Sequence, residues 1–157
     1  MRLEDKVIEE RNNLVSDYSL DLNKILEGLK GRHLPYVEQI SKSVEYVTNE
    51  LGLDVKVFEK FPQLFGLSIE DNLKPKVEYV TDELGLDVKV FEKLPTLFNF
   101  SLNKRIKPRT AFLEKKGKHY GLLSHIGRSD SVFCSRIIKC PLEEYEQFKE
   151  DYIKLNS

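Results

Sequence analysis

Nine cationic side chains fall within a stretch of 33 residues: Lys104, Arg105, Lys107, Arg109, Lys115, Lys116, Lys118, Arg128 and Arg136. Ammonium and guanidinium groups at this density suit the phosphates of a nucleic acid, because each contact releases a condensed counterion. Such contacts position a partner without reading its sequence. The competing reading is a basic face that is solvated, or paired with acidic residues elsewhere in the chain. The charge balance favours a partner. Residues 101–139 carry 10 Lys/Arg against 2 Asp/Glu, or +8, while residues 1–100 carry 13 against 19, or −6. Residues 140–157 add 2 against 5, so a net charge of −1 conceals a strong internal split. An anionic partner is expected on the basic block.

Other chemistry is sparse. His119 and His125 lie in the basic block and can add donors to phosphate, and His33 stands apart. None has metal-ligand spacing or a nearby carboxylate, so no metal or general base is expected. Tyr120 and Phe133, in the same block, are candidates for stacking on a base. Cys134 and Cys140 form neither a zinc pattern nor a disulfide framework and read as reduced, structural thiols. Phosphate-loop, dinucleotide-binding and nucleophile-elbow motifs are absent, so no enzyme and no cofactor are expected.

The elements that must carry these residues are repeats. Residues 44–76 and 77–109 align without a gap, with 22 of 33 positions identical. Degenerate copies flank them over residues 11–43 and 110–157, the latter merging into a C-terminal cap. Within a unit, a helix is expected from Lys74 to Leu84, with Pro75 in its first turn and Gly85 ending it. Asp87 should cap a second helix, Val88 to Leu94, which Pro95 closes. Residues 96–100 then turn the chain in 3₁₀ fashion, and Ser101 can cap the segment after it. Neither helix buries its apolar stripe alone, so stacked units are expected: an all-α solenoid of roughly 33-residue helix-helix-3₁₀ repeats, read as one domain over residues 1–157. Tyr46, Tyr79, Phe58, Phe91, Phe65, Phe98 and Phe100 recur in the repeats and read as core rather than base-stacking residues.

Comparison of the clean repeats separates packing from partner. Residues 50–60 and 83–93 are identical and should serve the stacking common to every unit. The segment 66–76 holds two acidic and two basic residues, whereas 99–109 holds four basic and none acidic. That change to +4 is assigned to a partner.

The cassette Leu73-x-Pro75-x-Val77-Glu78-Tyr79, then Glu83-Leu84-Gly85-Leu86, then Phe91-Glu92-Lys93-x-Pro95-x-Leu97-Phe98 resembles the mTERF repeat of mitochondrial transcription termination factors and their plastid relatives. Ser101 to Arg109, with Phe112, Leu113 and Gly117, is similar to the last repeat of many members. Ser129-Asp130 through Phe133 to Leu142-Glu143-Glu144-Tyr145 is similar to their C-terminal cap. The resemblance implies a left-handed superhelix and organellar gene expression, through duplex DNA, RNA or ribosomal particles, with or without a protein partner. An acidic first 100 residues suit a protein partner on that half, or the alternative of an interaction scaffold or assembly factor of a mitochondrial ribosome with rRNA contact secondary. Location in a mitochondrion or plastid rests on the resemblance alone. Residues 1–6 are too acidic for a transit peptide and lack the apolar run of a signal peptide, and no membrane span is expected.

Overall fold

A computed structural model describes residues 2–157. Every regular element among them is helical. The chain packs as two compact units, Met1–Phe98 and Asn99–Ser157. This division falls inside the second clean repeat rather than at 109/110, because the sequence phasing cuts through the middle of a helix. The break falls at the end of the 3₁₀ turn Pro95–Asn99, before its last residue and just ahead of the serine-capped start of the next helix.

The first unit contains α1 (Leu3–Asp17), α2 (Leu22–Leu29), α3 (Val37–Glu45), α4 (Val57–Lys60), α5 (Lys74–Glu78) and α6 (Val90–Lys93). Both α3 and α5 run on into π-helical turns, Tyr46–Glu50 and Tyr79–Glu83. Gly52 and Gly85 then adopt left-handed φ values of 69° and 68°, the conformation that reverses the chain at lowest cost for a residue without Cβ. Asp87 Oδ1 accepts the Lys89 amide at 2.9 Å, but the second helix is Val90–Lys93 rather than Val88 to Leu94, and its N-cap position is Lys89, so Asp87 shapes the turn before the helix instead of capping it. The 3₁₀ turns Pro62–Gly66 and Pro95–Asn99 come next in each repeat. Phe58 stacks on Phe65, and Phe91 on Phe98, each pair at 4.2 Å between centroids.

Another expectation is corrected. The first helix of the repeat does not begin at Lys74 but at Ile69, capped by Ser68, whose Oγ accepts the Asp71 amide at 3.1 Å. Pro75 therefore lies inside a helix. It lacks an N–H and its ring crowds the preceding turn. The backbone opens into a π turn over Ile69–Leu73, with the Leu73 amide reaching back five residues to the Ser68 carbonyl at 3.0 Å.

The identical segments 50–60 and 83–93 do serve a shared packing device. Glu59 Oε2 accepts the backbone amide of Asp21 at 3.0 Å, and Glu92 Oε1 accepts that of Asp54 at 2.6 Å. Lys56 Nζ donates to the Ser19 carbonyl at 2.6 Å, and Lys89 Nζ to that of Gly52 at 2.7 Å. Within each set, lysine and glutamate also pair, at 2.9 and 3.2 Å. The Asp21 amide leads the causes that hold the Glu59 carboxyl below its ordinary value, with Lys56 second. Each lysine–glutamate pair thus ties down a chain reversal 37 to 38 residues earlier. Glu59→Ala and Glu92→Ala should each cost about 1 kcal/mol, discounted for partial exposure, as read by urea denaturation. Their near equality is the expected signature of one device used twice.

The second unit contains α7 (Lys107–Lys115), α8 (Leu122–His125), α9 (Asp130–Val132) and α10 (Leu142–Leu155). A π turn at Leu102–Ile106 precedes α7, and Ser101 caps it as expected, Oγ accepting the Lys104 amide at 3.0 Å. A second π turn, Phe133–Ile138, extends α9. Phe112, Phe133, Cys134, Ile138 and Tyr145 form the core, with Phe148 packed against it. Phe112 sits 5.1 Å from Tyr145 and 5.0 Å from Phe148, so α7 and α10 share an aromatic seam.

Candidate nucleic-acid interface

The charge split coincides with the two units. Met1–Phe98 carries 13 Lys/Arg against 19 Asp/Glu, and Asn99–Ser157 carries 12 against 7, giving −6 and +5. The nine candidate cations all lie in the second unit, but the structure does not give them one role.

Arg109 is interior. Its side chain is fully buried and both terminal guanidinium nitrogens are taken up by the protein itself. Nη1 donates to the His125 carbonyl at 2.6 Å, and Nη2 to the Arg128 carbonyl at 2.6 Å and to Asp130 Oδ1 at 2.9 Å. The Phe133 ring closes the site, its centroid 4.8 Å from the guanidinium carbon. Expected as a phosphate contact, Arg109 is corrected to a buried anchor that ties α7 to the loop after α8. Burial pushes the Asp130 carboxyl up, but hydrogen bonds from Lys149 and Arg109 outweigh it and hold the carboxyl below its ordinary value.

Arg105 is half-buried and divided in function. Its Nη1 donates to the carbonyls of Ile126, at 3.1 Å, and Arg128, at 3.2 Å, while the guanidinium rests over Phe100 at 5.2 Å. The Arg128 carbonyl is therefore a point where two guanidinium groups converge, with the Arg128 side chain itself exposed nearby. Lys104 is exposed on the turn that leads into α7. Lys107 is half-buried at the start of α7.

At the other end of α7, Lys115 lies over the Phe148 ring at 5.3 Å, and Lys116 pairs with Glu144 of α10. Two of the nine cations there are thus partly engaged, and Lys115 also complements the helix C-terminus. Lys118, just beyond left-handed Gly117, and Arg136, on the Phe133–Ile138 turn, are exposed. Neither side chain has an ionic partner among the described residues, and the same holds for Lys104 and Arg128.

The neutral candidates divide as well. His119 and Tyr120 are exposed. His125 is fully buried, 5.2 Å from the Phe133 ring. Burial, and then the charge of Arg109, push its pKa down to about 4, so it is a neutral interior group at physiological pH and no phosphate donor. Phe133 is fully buried and serves the core rather than a base. Cys134 is buried, its thiol pushed up to about 12 by desolvation and by Cys140 beside it, which leaves it protonated and unreactive.

The sequence held an unused signal for Arg109. It stands 33 residues after Lys76 and 66 after Ser43, and all three are buried. Ser43 Oγ donates to the Phe65 carbonyl at 3.2 Å, and Lys76 Nζ to the Phe98 carbonyl at 2.5 Å. The residue four positions earlier assists each time. Gln39 Nε2 donates to the Phe65 carbonyl at 3.4 Å, Asn72 Oδ1 accepts from Lys76 at 2.6 Å, and Arg105 joins Arg109 at the Arg128 carbonyl. Successive repeats fill one structural position with longer and more basic side chains.

Fold and surface together define a helical-repeat protein whose net positive charge lies in its second unit. The mTERF family model matches residues 36–134, 99 of the 157 residues, and the chain belongs to the mTERF family. Comparison with curated proteins gave no match. Membership associates the chain with nucleic acid and organellar gene expression, in a family of helical repeats that is not generally enzymatic. No helix among the described residues is long and apolar enough to cross a membrane.

Proposed function

We propose that the protein binds duplex DNA or RNA by phosphate contacts from its second unit, as a single array of roughly 33-residue repeats in a left-handed superhelix acting in organellar gene expression. The observation that carries this reading is that four of the nine candidate cations, Lys104, Lys118, Arg128 and Arg136, are exposed and make neither an ion pair nor a ring contact among the described residues. Arg105 and Lys107 add half-buried charge, and Lys115 and Lys116 a weaker contribution because of their contacts with α10. Tyr120, 44% exposed, is the aromatic available to a base. Action in a mitochondrion or plastid, on transcription or on ribosomal RNA, is what the family supports. An interaction scaffold in ribosome assembly is the second reading, favoured by the −6 charge of the first unit.

Fluorescence anisotropy with duplex DNA, single-stranded RNA and structured RNA across a salt series tests the first reading. Wild-type binding should weaken steeply with salt. In a variant with Lys104, Lys118, Arg128 and Arg136 changed to Ala, the log–log slope on duplex DNA should flatten by about 3 to 4. Absence of binding at about 100 mM salt, or an unchanged slope in the variant, overturns it.

A further inference from the structure

The first unit holds a groove of about 750 Å³ between α3 and the turn leading into α5. Its floor includes Tyr46, whose residue surface is only 6% exposed. Among the described residues the Tyr46 hydroxyl makes no hydrogen bond, although its repeat counterpart Tyr79 is engaged. The Tyr46 oxygen is not among the fully buried unpaired polar atoms of the described residues, so it opens to the groove, where a donor can reach it. Around it stand carboxylates. Glu45 and Glu50 line the groove, both exposed and neither in an ion pair among the described residues. Glu70 lines it too but is already held by Lys74, at 2.5 Å. The field at the phenol is negative. Burial first, then Glu50, Glu78 and Glu70, push the Tyr46 pKa up to about 12, so the hydroxyl stays neutral and able to accept.

The rim supplies an aromatic face. Tyr36 lines the groove and is 72% exposed. The chain already sets one guanidinium against this ring, that of Arg11, at 5.1 Å from its centroid. A planar cation is thus compatible with the rim, the carboxylates and the floor at once. Lys42 also lines the groove without an ion-pair partner among the described residues, a cation that a docked guanidinium must lie clear of.

We infer that this groove docks an arginine side chain of a basic segment of a partner protein, with the guanidinium donating to the Tyr46 hydroxyl and to Glu45 and Glu50 while it lies near Tyr36. The site is independent of the phosphate contacts proposed for the second unit, and either can fail without the other.

The test uses the whole chain and a Gly-Arg-Gly-Arg-Gly peptide, monitored by amide chemical-shift mapping, with Gly-Gln-Gly-Gln-Gly as the neutral control. The arginine peptide should bind saturably with a Kd below about 1 mM, shifting amides of the groove residues, and the glutamine peptide should not. Tyr46→Phe and Glu50→Gln should each weaken binding about fivefold or more. A Glu9→Gln, Glu10→Gln double variant removes exposed charge that does not line the groove, and should leave binding unchanged. Tyr46→Phe keeps the ring and so the packing, which allows a loss of binding to be read apart from a loss of fold. Shifts scattered over the acidic surface without saturation overturn the assignment. So does weakening by the Glu9, Glu10 variant equal to that by Glu50→Gln.

Discussion

Arg109→Met should destabilise the second unit by about 3 kcal/mol while leaving intrinsic nucleic-acid affinity of the folded protein nearly unchanged. The substitution keeps much of the volume and removes every charged hydrogen bond the guanidinium makes. The carbonyls of His125 and Arg128 lose their donors, and Asp130 loses one of two cations. Lys149 still pairs with Asp130 at 2.7 Å, which places the cost at the lower end of the range for breaking a buried pair. Arg109→Lys should recover part of the loss, since one ammonium cannot span the three acceptors the guanidinium fork reaches. Lys104→Ala should do the opposite, changing stability by no more than about 0.5 kcal/mol and lowering the salt slope. Urea denaturation, with hydrogen exchange to place the loss within residues 99–157, separates the two classes. Equal stability losses in Arg109→Met and Lys104→Ala would refute the division between anchor and contact.

That division marks where sequence reasoning reached its limit. The change from two acidic and two basic residues in 66–76 to four basic residues in 99–109 looked like one event aimed at a partner. It is two. Lys104 replaces Asp71 at an exposed position, whereas Arg105 and Arg109 replace Asn72 and Lys76 in a hydrogen-bonding pair that closes the repeat on a loop carbonyl. A charge count cannot tell these apart, because the long arginine stem lets a cation reach inward as readily as outward. Register could: position 109 carries the offset of Lys76 and Ser43.

The features that depended on local stereochemistry were legible. Gly85 as the chain reversal, Ser101 as a cap, and Pro95 at the 3₁₀ turn all stand as their residue types dictate. The identity of residues 50–60 with 83–93 pointed to a shared packing device, and the glutamate and lysine contacts supply it. Pro75 misled because proline is commonest in a first helical turn, and a π turn that absorbs it inside a helix has no signature in composition. The groove in the first unit was hidden for another reason. Tyr46 and Tyr79 share the segment Val-Glu-Tyr-Val-Thr, but one is buried without a hydrogen bond and the other more exposed and engaged.

The buried histidine carries a pH dependence that charge counts also miss. His125 has a pKa near 4 in the folded chain and an ordinary value of 6.5. Well above pH 6.5 it is neutral in both states and contributes nothing to the slope. As pH falls from 6.5 to 4, the unfolded chain takes up a proton that the folded chain refuses, so stability is lost throughout that window. Two and a half units correspond to about 3 kcal/mol by pH 4. The cause is local. The imidazole is packed on Phe133, both its nitrogens lack hydrogen-bond partners among the described residues, and the charge of Arg109 lies beside it. Asp130 and Glu59, both held below their ordinary values, add acid lability, but their protonation falls at the lower end of the window and beneath it. His125→Phe should therefore remove the pH dependence between about 6.5 and 4.5 while leaving the steeper loss at lower pH. Urea denaturation at about pH 7, 5.5 and 4.5 reads this directly. Parallel stability curves for wild type and His125→Phe would show that the folded chain protonates the imidazole as readily as the unfolded one, and would refute its neutral interior state.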